Sequence, residues 1–314
     1  ASVTYTRFND SGFSRPYSTA EKKDDTTPFL SGGLAAADVD KNGFVDLIVV
    51  GGNSQPNHFY SNEEGVFVES GANLGVDVIN WGSGPAFGDI DGDGDLDLFI
   101  GAIEDDPVYL FENREGVFVD ITASAGIVLT AENTMSGTFY DYDRDGFLDL
   151  FVGNESKPNQ YNPCELYINQ GDGKFLEQSK EYNLDKISGF IKGLVFGDIN
   201  NDQWPDLFIS VLGGKNYLFK NELGFFKDIS ESAGVEAPYY SFPCWIWDVN
   251  NDGFNDIFVA SYDSRNLINL ASDFSKEIEG KYVDSEKSKL FINNGNETFT
   301  ESSQEFNIDI SMYA

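Results

Sequence analysis

Short apolar runs alternate with polar and glycine-rich segments along most of the chain, and the same order of segments occurs five times. Each repeat has a segment of small and apolar residues, an acidic stretch, a β-rich run, an alternating aromatic run that ends in Asn, and a segment with the pattern Phe-x-(Asp/Glu). Runs of β-branched and aromatic residues between turn residues are typical of strands, so the pattern predicts four strands per repeat. The β-rich runs are 47–50, 98–100, 150–152, 207–209 and 257–259, and the Phe residues of the fourth strands are Phe67, Phe118, Phe175, Phe226 and Phe299.

The acidic stretch between the first two predicted strands is a motif of nine residues, and its fullest copy is 89–97, Asp-Ile-Asp-Gly-Asp-Gly-Asp-Leu-Asp. Positions one, three, five and nine carry side-chain oxygens, position six is Gly in four of the five copies, and position seven offers its carbonyl. Oxygen ligands from alternate residues around a tight turn suit a hard cation such as Ca²⁺. The first Asp residues of successive motifs are 51, 52, 57 and 50 residues apart, a period that is typical of propeller blades or solenoid units.

The motif therefore predicts up to five Ca²⁺ sites, in loop 1 (38–46), loop 2 (89–97), loop 3 (141–149), loop 4 (198–206) and loop 5 (248–256). Loops 2 and 3 have Asp at all four side-chain positions, whereas each other loop has three Asp and one Asn. Loop 4 is predicted to be the weakest site because Gln203 replaces the glycine. The predicted ligands, with position seven acting through its carbonyl, are Asp38, Asp40, Asn42, Phe44 and Asp46; Asp89, Asp91, Asp93, Asp95 and Asp97; Asp141, Asp143, Asp145, Phe147 and Asp149; Asp198, Asn200, Asp202, Trp204 and Asp206; and Asp248, Asn250, Asp252, Phe254 and Asp256.

Two other structures are built on Asp/Gly-rich loops. An EF-hand needs a Glu at position twelve and flanking helices, but position twelve is Val or Ile in all five copies, so this structure is excluded. A solvated hairpin turn would explain a single copy, because Asp-Gly is also a turn signal. Five copies in one frame favour metal sites, since carboxylates crowded into one loop repel each other without a cation.

Four short strands in each period, with no convincing amphipathic helix, predict an all-β fold: a single β-propeller domain whose four-stranded blades carry the calcium loop between their first two strands. The blades are predicted at about 31–80, 81–130, 131–187, 188–237 and 238–310, with a partial blade or outer strand in 1–30. An insertion at about 265–288 contains a candidate short helix, and 307–312 is similar to the start of another blade. Either the terminal pieces help to close a five- or six-bladed ring, or the chain is part of a larger propeller, which is the favoured interpretation.

Charge narrows the classes of partner. The 53 acidic and 20 basic residues of the 314-residue chain give a net charge of −33, without a basic patch to neutralise phosphates, so no nucleic-acid partner is expected. No apolar run approaches the ~20 residues of a membrane span, so no transmembrane segment is predicted. The first residue is Ala1, which fits a mature secreted protein, and calcium loops of this kind are normally filled outside cells. We therefore expect a secreted, extracellular or cell-surface protein.

Residues for catalysis are scarce. His58 is the one histidine, so Ser-His-Asp schemes, Cys-His schemes and His-rich zinc sites have no partners, and the chain is predicted not to be an enzyme. Cys164 and Cys244 lie in repeats that are not adjacent in the chain, which favours two buried thiols over a disulfide. The tryptophans are interpreted as core residues, with a sugar-stacking platform as the alternative. They are Trp81, Trp204, Trp245 and Trp247.

The repeats resemble the FG-GAP/VCBS repeats of integrin-alpha-like calcium-binding propellers. Three further segments, at 163–167, 191–198 and 241–248, are similar to blocks of the cartilage-acidic-protein family and its bacterial relatives. The resemblance implies a calcium-loaded β-propeller, usually seven-bladed, in a secreted or cell-surface protein linked to adhesion and matrix contacts. It also implies further repeats beyond Ala314.

Together these patterns predict a non-enzymatic, calcium-stabilised propeller that presents a face to a protein, matrix or glycan partner, as an adhesion or interaction module. A lectin-like carbohydrate-binding propeller is the alternative, and it requires exposed Trp or Tyr on one rim. A polysaccharide-acting enzyme is a third interpretation, which requires a clustered acid and base. The sequence does not identify the ligand.

Overall fold

The computed structural model describes residues 32–51, 56–129, 133–156, 161–261 and 286–308. The described residues form strands and loops, apart from the single helical turns α1 (Gly71–Leu74) and α2 (Ser230–Ala233) and a 3-10 helix at Leu184–Lys186. The predicted all-β class is confirmed. In these ranges no helix has the length and apolar character to cross a membrane. The predicted partial strand in 1–30, most of the candidate helix at 265–288 and the chain after 308 lie outside the described residues.

The strands form five successive units of four, which we number 1 to 5. Units 1 to 3 contain β1 (Gly33–Ala37), β2 (Asp46–Val50), β3 (His58–Glu63) and β4 (Val66–Glu69); β5 (Gly82–Gly88), β6 (Asp97–Ala102), β7 (Tyr109–Arg114) and β8 (Val117–Asp120); and β9 (Thr134–Tyr140), β10 (Asp149–Asn154), β11 (Glu165–Asn169) and β12 (Phe175–Glu177). Units 4 and 5 contain β13 (Phe190–Gly197), β14 (Asp206–Leu212), β15 (Tyr217–Glu222) and β16 (Phe225–Asp228); and β17 (Ser241–Trp247), β18 (Asp256–Ser261), β19 (Lys289–Asn293) and β20 (Phe299–Glu301).

Every unit is an antiparallel meander in which the strands pair in chain order. A parallel pairing between Gly84 and Ser136 joins the sheets of units 2 and 3. In each unit the residue before the acidic loop pairs with the Asp that ends the loop, as Ala37 does with Asp46 and Gly88 with Asp97. This register makes every acidic loop the connection between the first and second strands, as the sequence predicts.

The hydrophobic core lies between the units rather than inside them. Each of the four buried clusters combines side chains of two successive units. Between units 1 and 2, for example, Phe59 and Ile48 pack with Leu98 and Phe111. A four-stranded unit therefore covers one apolar face only by stacking on its neighbour, which is the physics of repeat architectures.

The first strands make these contacts by pairing small residues with bulky ones. A Cβ added to Gly88 would lie 2.8 Å from the Phe139 ring of the next unit, and one added to Gly197 would lie 2.4 Å from Ile246. Tyr140 is an exception, because its ring stacks on Phe196 at a centroid distance of 4.9 Å. In units 2, 3 and 4 the residue at the end of the first strand thus contacts the following unit.

Two of the four tryptophans do not lie in the core, and the interpretation of Trp245 and Trp247 as core residues is wrong. Their exposed fractions are 46% and 41%. Both lie on β17, on the side that earlier units cover with the next first strand. Trp247 has the register position at which Gly88 of unit 2 and Gly197 of unit 4 contact the following unit.

Both cysteines are buried and unpaired, which confirms the predicted thiols. Burial raises the pKa of both Cys164 and Cys244 to about 12. Such thiols remain protonated near neutral pH and behave as small apolar side chains.

Candidate metal centres

The backbone of all five acidic loops has one shape. Positions four and six adopt left-handed conformations, with φ between 59° and 76° and between 69° and 96° respectively. Glycine adopts such angles freely, whereas other residues do so at a cost of roughly 1–2 kcal/mol. Gln203 is the one non-glycine residue at position six, with φ of 69°. Loop 4 therefore has the same backbone shape as the other loops but bears a conformational cost at position six that glycine avoids.

Side chains at positions one, three and five turn into the loop because each accepts a backbone hydrogen bond. Position one accepts from the N–H of position six at 2.7–3.1 Å. Position three accepts from position five at 2.9–3.2 Å. Position five accepts from position seven at 2.7–2.9 Å.

The Asp at position nine is buried in every loop. In loops 1, 2, 4 and 5 it accepts the N–H of position two at 2.8–3.0 Å. In all five loops it accepts the N–H of an Asn in the third strand at 2.7–2.9 Å. These bonds fix one carboxylate at the base of each loop.

In loops 1, 2 and 3, three carboxylates converge. One oxygen each from positions one, three and nine lies within 4.8 Å of the other two. Asp93 and Asp145, at position five, lie outside these groups. In loops 4 and 5 position three is Asn, and the side chains adopt the same hydrogen bonds with two carboxylates instead of three. The convergent groups are Asp38, Asp40 and Asp46; Asp89, Asp91 and Asp97; and Asp141, Asp143 and Asp149.

Burial disfavours the charged form of the position-nine carboxyls. It raises the pKa of Asp149 to about 8 and the pKa values of Asp97 and Asp206 to about 7. Burial also raises the pKa values of Asp46 and Asp256, in both cases against the lowering effect of backbone hydrogen bonds. A bound cation reverses this balance, because it favours the ionised carboxylate.

Unpaired oxygens test whether these residues fit a cation. Among the described residues, Asp38 Oδ1, Asp141 Oδ1 and Asp149 Oδ2 are buried and have no hydrogen-bond partner. Buried polar atoms without a partner are rare and indicate a missing ion or water. All three residues belong to convergent groups, and carboxylate oxygens are hard donors of the kind that Ca²⁺ prefers. The residues present therefore fit a divalent cation.

The side chain of one predicted ligand, Asp95, forms an ion pair with a neighbouring loop. Asp95, at position seven of loop 2, accepts a bond of 2.6 Å from Lys41 Nζ, at position four of loop 1. Position four links neighbouring loops elsewhere as well. Arg144 lies over the Trp204 ring at 5.4 Å, and Asn201 donates to the Gly253 carbonyl at 3.0 Å.

Sequence reasoning noted the Asn at the end of each third strand without giving it a role. Its Oδ1 accepts a glycine N–H of the following turn at 2.7–3.0 Å. In units 3, 4 and 5 its Nδ2 also donates to the position-two carbonyl of the preceding unit's loop, at 2.8, 2.9 and 2.7 Å. The signal in the sequence is the occurrence of Asn at this place in all five repeats. These residues are Asn62, Asn113, Asn169, Asn221 and Asn293.

Known proteins share this pattern of repeats. A model of the FG-GAP-like repeat matches residues 38–100, 93–152 and 158–209. Cartilage acidic protein 1 of Xenopus tropicalis is 26% identical over 291 residues, which cover 82% of this chain and 44% of that protein. Integrin alpha-7 of Mus musculus is 35% identical over 86 residues, which cover 24% of this chain and 7% of that protein. The chain thus spans less than half the length of these curated relatives.

Among solved structures, an Agrocybe aegerita lectin that recognises non-reducing terminal N-acetylglucosamine is similar with a TM-score of 0.47 and 16% identity, over 86% of this chain and 65% of the lectin. The Vibrio cholerae biofilm matrix protein Bap1 is similar with a TM-score of 0.42 and 11% identity, over 86% of this chain and 38% of Bap1.

Proposed function

Because the chain belongs to the FG-GAP-like repeat family, we propose that it is a calcium-stabilised β-propeller module that serves in adhesion or interaction and is not an enzyme. Each four-stranded unit is a blade, with boundaries near 31–80, 81–130, 131–187, 188–237 and 238–310. Each acidic loop holds one Ca²⁺ through positions one, three, five and nine and the carbonyl of position seven, up to five ions in all.

The observation that carries this proposal is the buried, unpartnered carboxylate oxygens of Asp38, Asp141 and Asp149 inside convergent groups. A single acidic loop on a surface needs no ion. A buried carboxylate that points at two others is unfavourable unless a cation lies between them. The ion is therefore proposed to be structural: it fixes the connection between the first two strands of each blade.

Similarity to a cartilage acidic protein and to an integrin alpha chain supports an extracellular location and a matrix or protein partner. The net charge of −33 supports the absence of a nucleic-acid partner. A glycan partner is the second candidate, since the exposed Trp245 and Trp247 satisfy one requirement of a lectin-like surface.

Metal removal tests the structural role. We expect chelation to lower the Tm by well over the ~2–4 °C that a loss of about 1 kcal/mol gives in a domain of ~150–250 residues. The measurement is a thermal melt followed by circular dichroism, with Ca²⁺ and after chelation. An unchanged Tm would contradict the proposed role of calcium.

A matched pair of variants locates the ions. Asp141→Asn removes one charge from a convergent group, and Asp172→Asn removes the same charge from an exposed turn. We expect isothermal titration to find one Ca²⁺ fewer in the first variant and no change in the second. Equal stoichiometry in both variants would show that loop 3 is not a site.

A binding screen tests the interaction role. The calcium-loaded and chelated chains are applied to immobilised matrix proteins and to glycans. Calcium-dependent binding to a protein would support the adhesion module, and saturable binding to a sugar would support the lectin-like alternative. Binding to neither by a folded, loaded chain would count against both.

A further inference from the structure

A buried line of hydrogen bonds connects neighbouring acidic loops. Between loops 4 and 5 it starts at Asp206, the position-nine carboxylate of loop 4, which accepts the N–H of Ile199 at 2.9 Å. The carbonyl of Ile199 accepts from Asn293 Nδ2 at 2.7 Å, and the N–H of Asn293 donates to Asp256 at 2.8 Å. Asp256 is the position-nine carboxylate of loop 5. One backbone residue and one Asn therefore separate two predicted metal ligands.

The same bonds connect loops 2 and 3. Asp97 accepts the N–H of Ile90 at 2.8 Å, and the Ile90 carbonyl accepts from Asn169 Nδ2 at 2.8 Å. The N–H of Asn169 in turn donates to Asp149 at 2.9 Å. All four residues are buried. Hydrogen bonds in such surroundings are stronger than in water, and breaking one leaves a buried polar group without a partner.

Loops 3 and 4 are connected through Asn221. Its Nδ2 donates to the carbonyl of Tyr142, position two of loop 3, at 2.9 Å. Its N–H donates to Asp206, position nine of loop 4, at 2.8 Å. We call the three bonds from an Asn side chain to the preceding loop the relay, which extends from loop 2 to loop 5. Its donors are Asn169, Asn221 and Asn293.

The relay does not extend to loop 1. Asn113 of unit 2 donates from Nδ2 to the Leu96 carbonyl of its own loop at 3.2 Å, and among the described residues it makes no bond to Val39, position two of loop 1. A cavity of about 100 Å³ lies at this interface, and its lining includes Val39 and Asp46 of unit 1 and Phe118 of unit 2. The exposed ion pair described above links these two loops, and exposed pairs contribute little.

The relay makes the closed shape of one loop depend on the next. A loop that opens withdraws its position-two carbonyl, and the Asn of the following unit loses a buried partner. With an ion in place the loop stays closed, so this Asn remains where its own N–H holds the position-nine carboxylate of the following loop. A site that is in its binding-competent shape for more of the time binds its ion more tightly.

We propose that Asn169, Asn221 and Asn293 are positioning residues that couple loops 2 to 5, so that metal binding in one loop raises the affinity of the next, whereas loop 1 fills independently. This inference rests on the proposed Ca²⁺ sites and concerns how they fill. Charge acts in the opposite direction, because a filled loop is less negative and attracts a cation to its neighbour less strongly. The two effects differ in sign, so one experiment separates them.

Loops 2 and 3 give the cleanest test, because Gly92 at position four of loop 2 has no side chain that could reach loop 3. Phe147→Trp gives loop 3 the residue that loop 4 has at position seven. The introduced indole sensitises the luminescence of Tb³⁺, a hard cation that takes oxygen ligands as Ca²⁺ does. Asp89→Asn empties loop 2 without altering the relay, and a Ca²⁺ titration that finds one ion fewer checks this.

We expect Asp89→Asn to lower the affinity of loop 3 for Tb³⁺ at least about fivefold, the lower end of measured couplings between sites. Displacement of Tb³⁺ by added Ca²⁺ gives the same comparison for calcium. The variant loses one carboxylate but also a divalent ion, so loop 2 becomes more negative than when it is filled, and charge alone predicts a rise in affinity.

A cycle of variants assigns the effect to the relay. Asn169→Ala removes the bond to loop 2 and keeps the backbone N–H that donates to Asp149. In this background, Asp89→Asn should cause no further loss at loop 3. A purely structural Asn169 would lower the Tm and leave the fivefold effect of Asp89→Asn intact, which would contradict the relay.

Asp38→Asn is the matched control, since it empties loop 1 outside the relay and should leave the affinity of loop 3 unchanged. The chain without Phe147→Trp supplies the background signal, to which Trp204 of loop 4 contributes. An unchanged or raised affinity of loop 3 in Asp89→Asn would overturn this inference and leave the calcium sites standing. A folded chain that binds neither Tb³⁺ nor Ca²⁺ would contradict the sites themselves, and the inference with them.

Discussion

Asn293 makes hydrogen bonds through its N–H and through both polar atoms of its side chain. Its N–H donates to Asp256 at 2.8 Å, and its Nδ2 donates to the carbonyls of Ile199 at 2.7 Å and Asn255 at 2.9 Å. Its Oδ1 accepts from the Gly295 N–H at 2.9 Å. Asn293 thus connects the acidic loops of units 4 and 5 with the turn after β19, and its bonds to Asp256 and Ile199 are buried.

Replacing Asn293 with Ala should therefore be costly. The change leaves the buried Ile199 carbonyl, the part-buried Asn255 carbonyl and the Gly295 N–H with fewer partners, and we expect the free energy of unfolding to fall by about 2–3 kcal/mol. Asn294→Ala is the matched control, because the neighbouring side chain bonds only to exposed Thr hydroxyls. Its loss should remain below about 0.5 kcal/mol. Chemical denaturation measures both, and equal losses would contradict the linking role of Asn293.

Buried carboxyls set a pH dependence for the metal-free chain. Burial raises the pKa of Asp149 to about 8 and that of Asp97 to about 7, above the ordinary value of 3.8. Between about pH 4 and pH 8 the folded chain therefore holds more protons than the unfolded chain, and stability is lost as the pH rises. We expect the Tm of the metal-free chain to fall from pH 5 to pH 8, whereas the stabilisation by Ca²⁺ should grow over the same range because the ion needs ionised ligands.

Thermal melts at fixed ionic strength check this dependence, with and without Ca²⁺. Asp149→Asn removes the carboxyl with the highest pKa, so its metal-free melts should depend less on pH. A metal-free Tm that rises from pH 5 to pH 8 would contradict the assignment of these carboxyls as protonated groups.

At the scale of elements, hydrogen bonds within the protein hold the oxygen-bearing side chains of each acidic loop in place. Backbone N–H groups hold positions one, three, five and nine, and left-handed residues at positions four and six produce the turn. Pre-organised ligands lose little conformational entropy on binding, so the number of carboxylates should decide the relative strength of the sites.

Loop 4 offers a direct test of that idea. Asn200→Asp places a third carboxylate at position three, as in loops 1 to 3, and we expect Ca²⁺ affinity at this loop to rise about tenfold, a change of about 1.4 kcal/mol. Without metal the added charge should repel Asp198 and Asp202 and lower the Tm. Asn201→Asp adds the same charge at position four, which bonds to the Gly253 carbonyl of the next loop instead. Equal gains in titrations of both variants would point to general electrostatics rather than ligation.

At the scale of the whole molecule, contacts within a repeat could be predicted from the sequence, and contacts between repeats could not. The spacing inside each motif gave the strand order and the place of the acidic loops, because those features depend on neighbouring residues. The bond from Asn169 to Ile90 joins residues far apart in the chain, so only the stacking of two units reveals it. The interpretation of Trp245 as a core residue was wrong for the same reason, because burial is set by contacts between units and not by the hydrophobicity of one residue.

Net charge gives the last prediction. Self-repulsion from a charge of −33 opposes the compact state, and five Ca²⁺ ions would reduce that charge to about −23. Dissolved salt screens the same repulsion. We therefore expect added NaCl to raise the Tm of the metal-free chain more than that of the loaded chain. Sucrose is the control, because it stabilises both forms without screening charge. If NaCl shifts both forms equally, the carboxylates that calcium neutralises are not the main source of the repulsion, and the acidity outside the loops must be.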